Sequence, residues 1–196
     1  NEYEAAKKIN PRLAFPYFDL ALFFLFRQQQ EAAIAEYDQV LALDNKNVKA
    51  YTRKCAAYFN IGETDKALAS CKTATTLDPN FTEAVKWLGQ VRYNRRDYED
   101  AITDFATCRA QEIAATNIQP VDRLSECWYL AGLAQYLLGH CDKAYPLFNE
   151  VLSFTDNPQA IQLTRKGIAG CAAVNPGTPT PTPIPIPPTK LPPILS

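Results

Sequence analysis

Six cysteines and one histidine are the residues in this chain best suited to chemistry. The cysteines are Cys55, Cys71, Cys108, Cys127, Cys141 and Cys171, and no two of them form a CxxC pair. Zinc ribbons and thioredoxin-type sites use such close pairs, because two sulfurs must reach one metal ion or each other. His140 adjoins Cys141 in a Gly139-His140-Cys141 turn. A Cys–His nucleophile needs the imidazole opposite the sulfur, and sequence neighbours rarely achieve that. The sequence has no metal-spaced His pair, no Gly-rich phosphate cradle and no Ser-centred elbow. Its acidic residues are scattered without a convergent pair for acid–base work. No catalytic residue, metal site or cofactor is expected, and the chain reads as a non-enzyme.

Composition sets the outer limits. At 196 residues and 47% hydrophobic, the chain can bury one core and carry an appendage. A formal net charge of −1 gives no broad field for nucleic acid or an anionic membrane surface. The short basic runs Arg53-Lys54 and Arg92, Arg95, Arg96 read as solvated helix faces. No apolar stretch is long enough to span a bilayer. The sequence begins at Asn1 and contains no Met, so a processed or truncated chain is expected, as after removal of a signal peptide. Nine of the 15 prolines lie from Pro176 onward, which separates a body, 1–174, from a Pro/Thr-rich tail, 175–196.

The body repeats itself. Ala33, Ala67 and Ala101 are spaced 34 apart, and so are Tyr37, Cys71 and Phe105, Tyr17 and Tyr51, and Phe24 and Tyr58. Each period carries two apolar stripes at helical spacing, split by a turn such as Ile61-Gly62-Glu63 and closed by a breaker such as Leu77-Asp78-Pro79. The unit is helix–turn–helix. With Tyr51, Cys55, Tyr58, Ala67, Cys71, Ala74 and Pro79 in one period, and Trp87-Leu88-Gly89, Tyr98, Ala101, Phe105 and Cys108 in the next, the chain resembles the tetratricopeptide-repeat family. A further period reads Trp128, Gly132, Gly139, Ala144, Phe148 and Val151.

The resemblance implies an all-α fold, a right-handed α-α superhelix. A half-repeat (1–13, second helix only) precedes repeats at 14–47, 48–81 and 82–115. An insertion at 116–124, a repeat at 125–158, a capping helix at 159–174 and the tail follow. The half-repeat is expected to leave an apolar face uncovered. Pro146 is expected to shorten or kink the helix that holds it.

The family's first helices line a peptide-binding groove. Transferred by register, the groove falls on Phe18, Leu22, Leu25 and Phe26, then Arg53 and Phe59, then Trp87 and Tyr93, and finally Tyr129, Leu133 and Tyr136. An aromatic strip of this kind suits pre-extended proline-rich peptides. Some family members clamp a partner's C-terminal carboxylate with Lys, Asn and Arg. Lys49 and Arg53 match two of those positions, but Phe18, Asp19 and Leu22 occupy the others, so a carboxylate clamp is not expected. The tail offers apolar teeth at Ile184, Ile186, Leu191, Ile194 and Leu195.

On the implied helices the cysteines fall into three opposed pairs: Cys55 with Cys71, Cys108 with Cys127, and Cys141 with Cys171. Disulfides point to an oxidising compartment. The sequon at Asn80 and the Thr-Pro run at Thr178, Thr180 and Thr182 are candidate glycosylation sites. The expected location is therefore extracellular or the cell surface. The main functional expectation is a secreted structural subunit that assembles into a fibre by docking its tail in a neighbour's groove. Its partner would be itself, with glycans as further candidates. The alternative is a monomeric adaptor that binds a proline-rich or apolar peptide, with its own tail folded back.

Overall fold

The computed structural model describes residues 2–174. Every tail residue singled out above, from Thr178 to Leu195, lies outside them. Ten α-helices and one 3-10 turn make up the described residues, and no strand occurs among them. Two compact units divide the chain, Asn1–Asp97 and Tyr98–Ser196.

The first unit holds α1 (Glu2–Ile9), α2 (Ala14–Phe26), α3 (Gln30–Leu43), α4 (Val48–Asn60), α5 (Thr64–Leu77) and α6 (Thr82–Asn94). The starts of α2, α4 and α6 are 34 residues apart. What ends the first helix of each pair is one backbone device. Gln28, Gly62 and Arg96 all have positive φ, at 59°, 80° and 68°, again at intervals of 34. In each turn two N–H groups fold back on the last helical carbonyls, as Gly62 N donates to Phe59 O at 3.1 Å and Glu63 N to Tyr58 O at 2.9 Å. This closure satisfies carbonyls that a helix end would otherwise leave open. At the start of α4, Asn47 Oδ1 accepts from Ala50 N at 3.0 Å, an N-cap contact.

Small residues set the helix spacing. Ala33 and Ala67 are fully buried, so α2 packs on α3 and α4 on α5. Around them lie two apolar clusters. One joins Ala21, Ala33, Tyr37, Val40 and Ala50; the other joins Cys55, Ala67, Cys71, Leu88 and Val91. The Phe18 ring meets Tyr37 edge-on at 5.5 Å between centroids. Burial pushes the Tyr37 hydroxyl well above the ordinary phenol range, although the nearby Arg53 charge opposes the shift.

The second unit holds α7 (Tyr98–Ala114), a 3-10 turn (Pro120–Asp122), α8 (Glu126–Leu137), α9 (Cys141–Phe154) and α10 (Pro158–Val174). The irregular segment after α7 is tied down by Glu112, a buried carboxylate that accepts from Leu124 N at 2.9 Å. The α8 turn repeats the same device, with Gly139 at φ 80°. Pro146 sits inside α9, which nonetheless runs its full 14 residues, so the expected shortening does not occur. Asn157 Oδ1 caps α10 through Gln159 N and Ala160 N, at 2.9 and 3.2 Å.

Phe148 organises this unit. Its fully buried ring lies between Gly132 of α8 and Gly167 of α10, where an added Cβ would come within 2.4 Å of ring carbons on either side. Both helices approach the ring only because these two positions carry no side chain. Gly170 likewise admits the Tyr136 ring, 2.7 Å from where its Cβ would stand.

Candidate peptide-binding face

In α2 the outward row is built from the helical repeat. At 100° per residue, Phe15, Leu22 and Phe26 fall within about 40° of one another, opposite Leu20 and Phe24. The burial agrees. Leu20 is buried and Phe24 packs on the core, whereas Phe15 is 73% exposed, Phe26 87% and Leu22 37%. Most of α2 is apolar, so the stripe opposing the core is apolar too. Its one acidic residue, Asp19, lies between Phe15 and Leu22 on the same side.

In the next two first helices the same register carries a mixed surface. Phe59 of α4 and Trp87 of α6 meet with ring centroids 5.9 Å apart. Beside them Arg53 Nη1 pairs with Glu83 Oε1 at 2.8 Å, again from α4 to α6. Lys86 Nζ lies 4.7 Å from the Trp87 ring centroid, so that ring already faces a cation. Tyr93 is half-buried on α6.

The structure sorts the groove residues expected from sequence. Leu22 and Phe26 stand on the open face of α2, joined by Phe15, which the transferred register left out. Its signal was in the sequence: Phe15 shares its helical azimuth with those two residues. Phe18 and Leu25 turn inward and pack on the Tyr37 cluster. Arg53 is occupied by Glu83. In the second unit Tyr129 is only 8% exposed, and Leu133 and Tyr136 pack against the Phe148 cluster beside α10. These three belong to the packing of the second unit rather than to an open face. The glycines of α10 let that helix lie close enough to cover Leu133 and Tyr136.

The cysteines pair as Cys55–Cys71, Cys108–Cys127 and Cys141–Cys171, with Cα atoms 5.3, 6.0 and 5.5 Å apart and no free thiol. Each disulfide ties two helices within one unit, α4 to α5, α7 to α8 and α9 to α10. His140 is the N-cap residue of α9, with Nδ1 3.1 Å from Gln135 Oε1. Among the described residues no group of three or more His, Cys, Asp or Glu side chains could hold a metal ion. No helix among them is long and apolar enough to cross a membrane.

The tetratricopeptide-repeat family model matches residues 48–81, the α4–α5 pair and its turns. The solved structure of MamA superposes with a TM-score of 0.68 at 20% identity, over 84% of this chain and 87% of that one. Residues 48–81 form a tetratricopeptide repeat. A tetratricopeptide-repeat domain of Spaghetti (RPAP3), solved with the HSP90 peptide SRMEEVD, superposes at TM-score 0.57 and 19% identity, over 64% of this chain and 93% of that one. Among curated relatives, a DnaJ homolog subfamily C member 7 homolog from Dictyostelium discoideum is 29% identical over 44% of this chain. The chain spans 16% of that relative's length.

The comparisons correct one expectation. The curated relatives are mostly intracellular co-chaperones, which overturns the extracellular or cell-surface location inferred from cysteines and sequons. That inference rested on the paired cysteines, the sequon at Asn80 and the Thr-Pro run, features of local chemistry that the relatives outweigh as marks of compartment. Asn80 is exposed in the turn before α6 and its N–H donates to Asp78 Oδ1 at 2.9 Å, an ordinary turn contact.

Proposed function

We propose that this protein is a non-catalytic adaptor whose first unit holds an apolar, proline-containing peptide against the α2 face. The observation that carries the proposal is the row Phe15, Leu22 and Phe26, exposed directly opposite the core. A contiguous apolar row of this kind costs solvation free energy unless something covers it. Related domains hold peptides: the RPAP3 domain carries SRMEEVD and a second RPAP3 domain carries the HSP70 peptide SGPTIEEVD. Both of those peptides end in acidic residues. Here the corresponding face offers phenylalanine and leucine, and Arg53 is already neutralised by Glu83. Bringing a carboxylate onto the α2 row would desolvate charge on a helix that carries no Lys or Arg. The ligand class is therefore apolar rather than acidic.

The same relatives favour an adaptor over a fibre subunit, a reading that rested on the match between the proline-rich tail and a neighbour's groove. The test is an array of labelled 12-residue peptides, apolar and proline-containing on one side and SRMEEVD on the other, titrated by fluorescence anisotropy. Apolar proline-containing peptides should bind at least 10-fold tighter than SRMEEVD, and Phe26→Asp should remove that binding. Tighter binding of SRMEEVD, or indifference to Phe26→Asp, would overturn the proposal.

A further inference from the structure

We propose that the Cys141–Cys171 disulfide is a redox latch, which a dithiol reductant opens to release α10 from α8. The proposal concerns the second unit alone and goes beyond the peptide-holding reading of the first. Three observations within that unit carry it.

The first is how little else holds α10. Its buried positions are Ala160, Thr164, Gly167 and Cys171, a stripe of small residues at helical spacing. Its larger apolar side chains, Ile161, Leu163 and Ile168, are only half-buried. The preceding helix α9 buries Leu147, Phe148, Val151 and Leu152. Stabilisation follows the apolar area removed from water, so α9 is anchored by its own side chains and α10 is not. The buried Thr164 hydroxyl has no hydrogen-bond partner, which weakens the contact further. Among the described residues no hydrogen bond or ion pair crosses from α10 to α8 or α9. The disulfide is the one strong tie.

The second is what α10 covers. Gly167 and Gly170 lie against Leu133, Phe148 and Tyr136. Lifting α10 uncovers Leu133 and Tyr136 on a helix whose Leu137 is already 48% exposed. The bond therefore controls how much apolar face α8 presents.

The third is which disulfide a reductant meets. Cys141 is 4% exposed, whereas the other five cysteines are at 0%. It is also the first residue of α9, and a helix N-terminus stabilises a thiolate. A reductant thiolate attacks Cys141 Sγ, and the S–S bond breaks. Cys171 leaves with the electron pair and takes a proton from solvent. The reductant's second thiol then loses its proton and attacks the reductant sulfur of the mixed disulfide, expelling Cys141 as a thiolate at the helix end. Two electrons have passed from the dithiol, now a cyclic disulfide, to the two cysteines.

The experiment treats the natural full chain with dithiothreitol, alkylates free thiols with iodoacetamide at intervals, and maps the labels by mass spectrometry. Cys141 and Cys171 should be labelled about 10-fold sooner than the other four. Hydrogen exchange of that partly reduced chain should quicken by about 10-fold or more in α10, while α9 keeps its protection. Oxidised glutathione should restore slow exchange. Cys141→Ala together with Cys171→Ala should give the same exchange pattern without reductant, and where that variant does not fold the partly reduced natural chain decides. Earlier opening of either other disulfide overturns the proposal, as does an α10 that stays protected once Cys141–Cys171 is open. Loss of protection from α8, α9 and α10 together also overturns it, because the bond is then a staple of the whole unit rather than a latch on one helix.

Discussion

Replacing Gly132 by alanine should destabilise the second unit, against the usual effect of that change in a helix. In an open helical position Gly→Ala gains roughly 1 kcal/mol, because alanine restricts the unfolded chain and is the better helix former. At Gly132 the new Cβ would stand 2.4 Å from Phe148 Cε1 and 2.7 Å from Cδ1. Carbon atoms do not approach so closely, and the ring cannot retreat. Its opposite edge faces Gly167, whose own Cβ position is 2.4 Å from Phe148 Cζ. Overpacking of a filled core costs about 1–3 kcal/mol. Less the propensity gain of roughly 1 kcal/mol, Gly132→Ala should lower stability by up to about 2 kcal/mol, or up to about 8 °C in Tm. Guanidinium titration followed by far-UV circular dichroism reads this directly. Phe148→Leu supplies the control, since the smaller side chain leaves room for the methyl group. In that background Gly132→Ala should be neutral or stabilising, a coupling of about 1–3 kcal/mol between the two sites. A stabilising Gly132→Ala in the natural background would refute the claim that the ring is held between two glycines.

Other consequences follow from single contacts. Arg96→Gly should stabilise the protein by about 0.5–1 kcal/mol in thermal denaturation, because Arg96 holds a left-handed conformation that glycine adopts without steric cost. Intact mass under non-reducing conditions should fall short of the fully reduced mass by six hydrogens, matching three disulfides. Changing Cys141 and Cys171 together to alanine should cost ~3–4 kcal/mol, as expected for opening a loop of 30 residues. The pH dependence comes from Tyr37, whose hydroxyl titrates higher folded than unfolded. Above about pH 10 the unfolded chain loses this proton first, so stability should fall as pH rises through the alkaline range. Tyr37→Phe should flatten that loss and cost little at neutral pH, since the buried hydroxyl has no hydrogen-bond partner among the described residues.

The helix pairs were legible from sequence because one constraint recurs at every period. Ala33, Ala67 and Ala101 are small where helices cross, and substitution there shows at once in spacing. The turns were half legible: Gly62 and Gly139 announce a left-handed residue, whereas Gln28 and Arg96 adopt the same geometry unannounced. Pairwise cysteine placement was readable for the same reason as the alanines, since antiparallel partners bring fixed positions face to face. The binding face was harder, because register tells which way a side chain points but not whether another helix covers it. Leu22 and Leu133 occupy the same register position; one stays on an open face and the other is packed beneath α10. What separates them is a residue on the covering helix. Gly167 and Gly170 let α10 descend onto α8, and two glycines 35 and 38 residues beyond Gly132 do not look, in sequence, like determinants of the groove. Widening them tests that explanation. Gly170→Leu should lift α10 away from Tyr136, raise the exposure of Tyr136 to quenching by acrylamide, and extend an open apolar face to α8. If Tyr136 stays protected in a folded Gly170→Leu chain, the cover over α8 is set by something other than the size of α10's side chains.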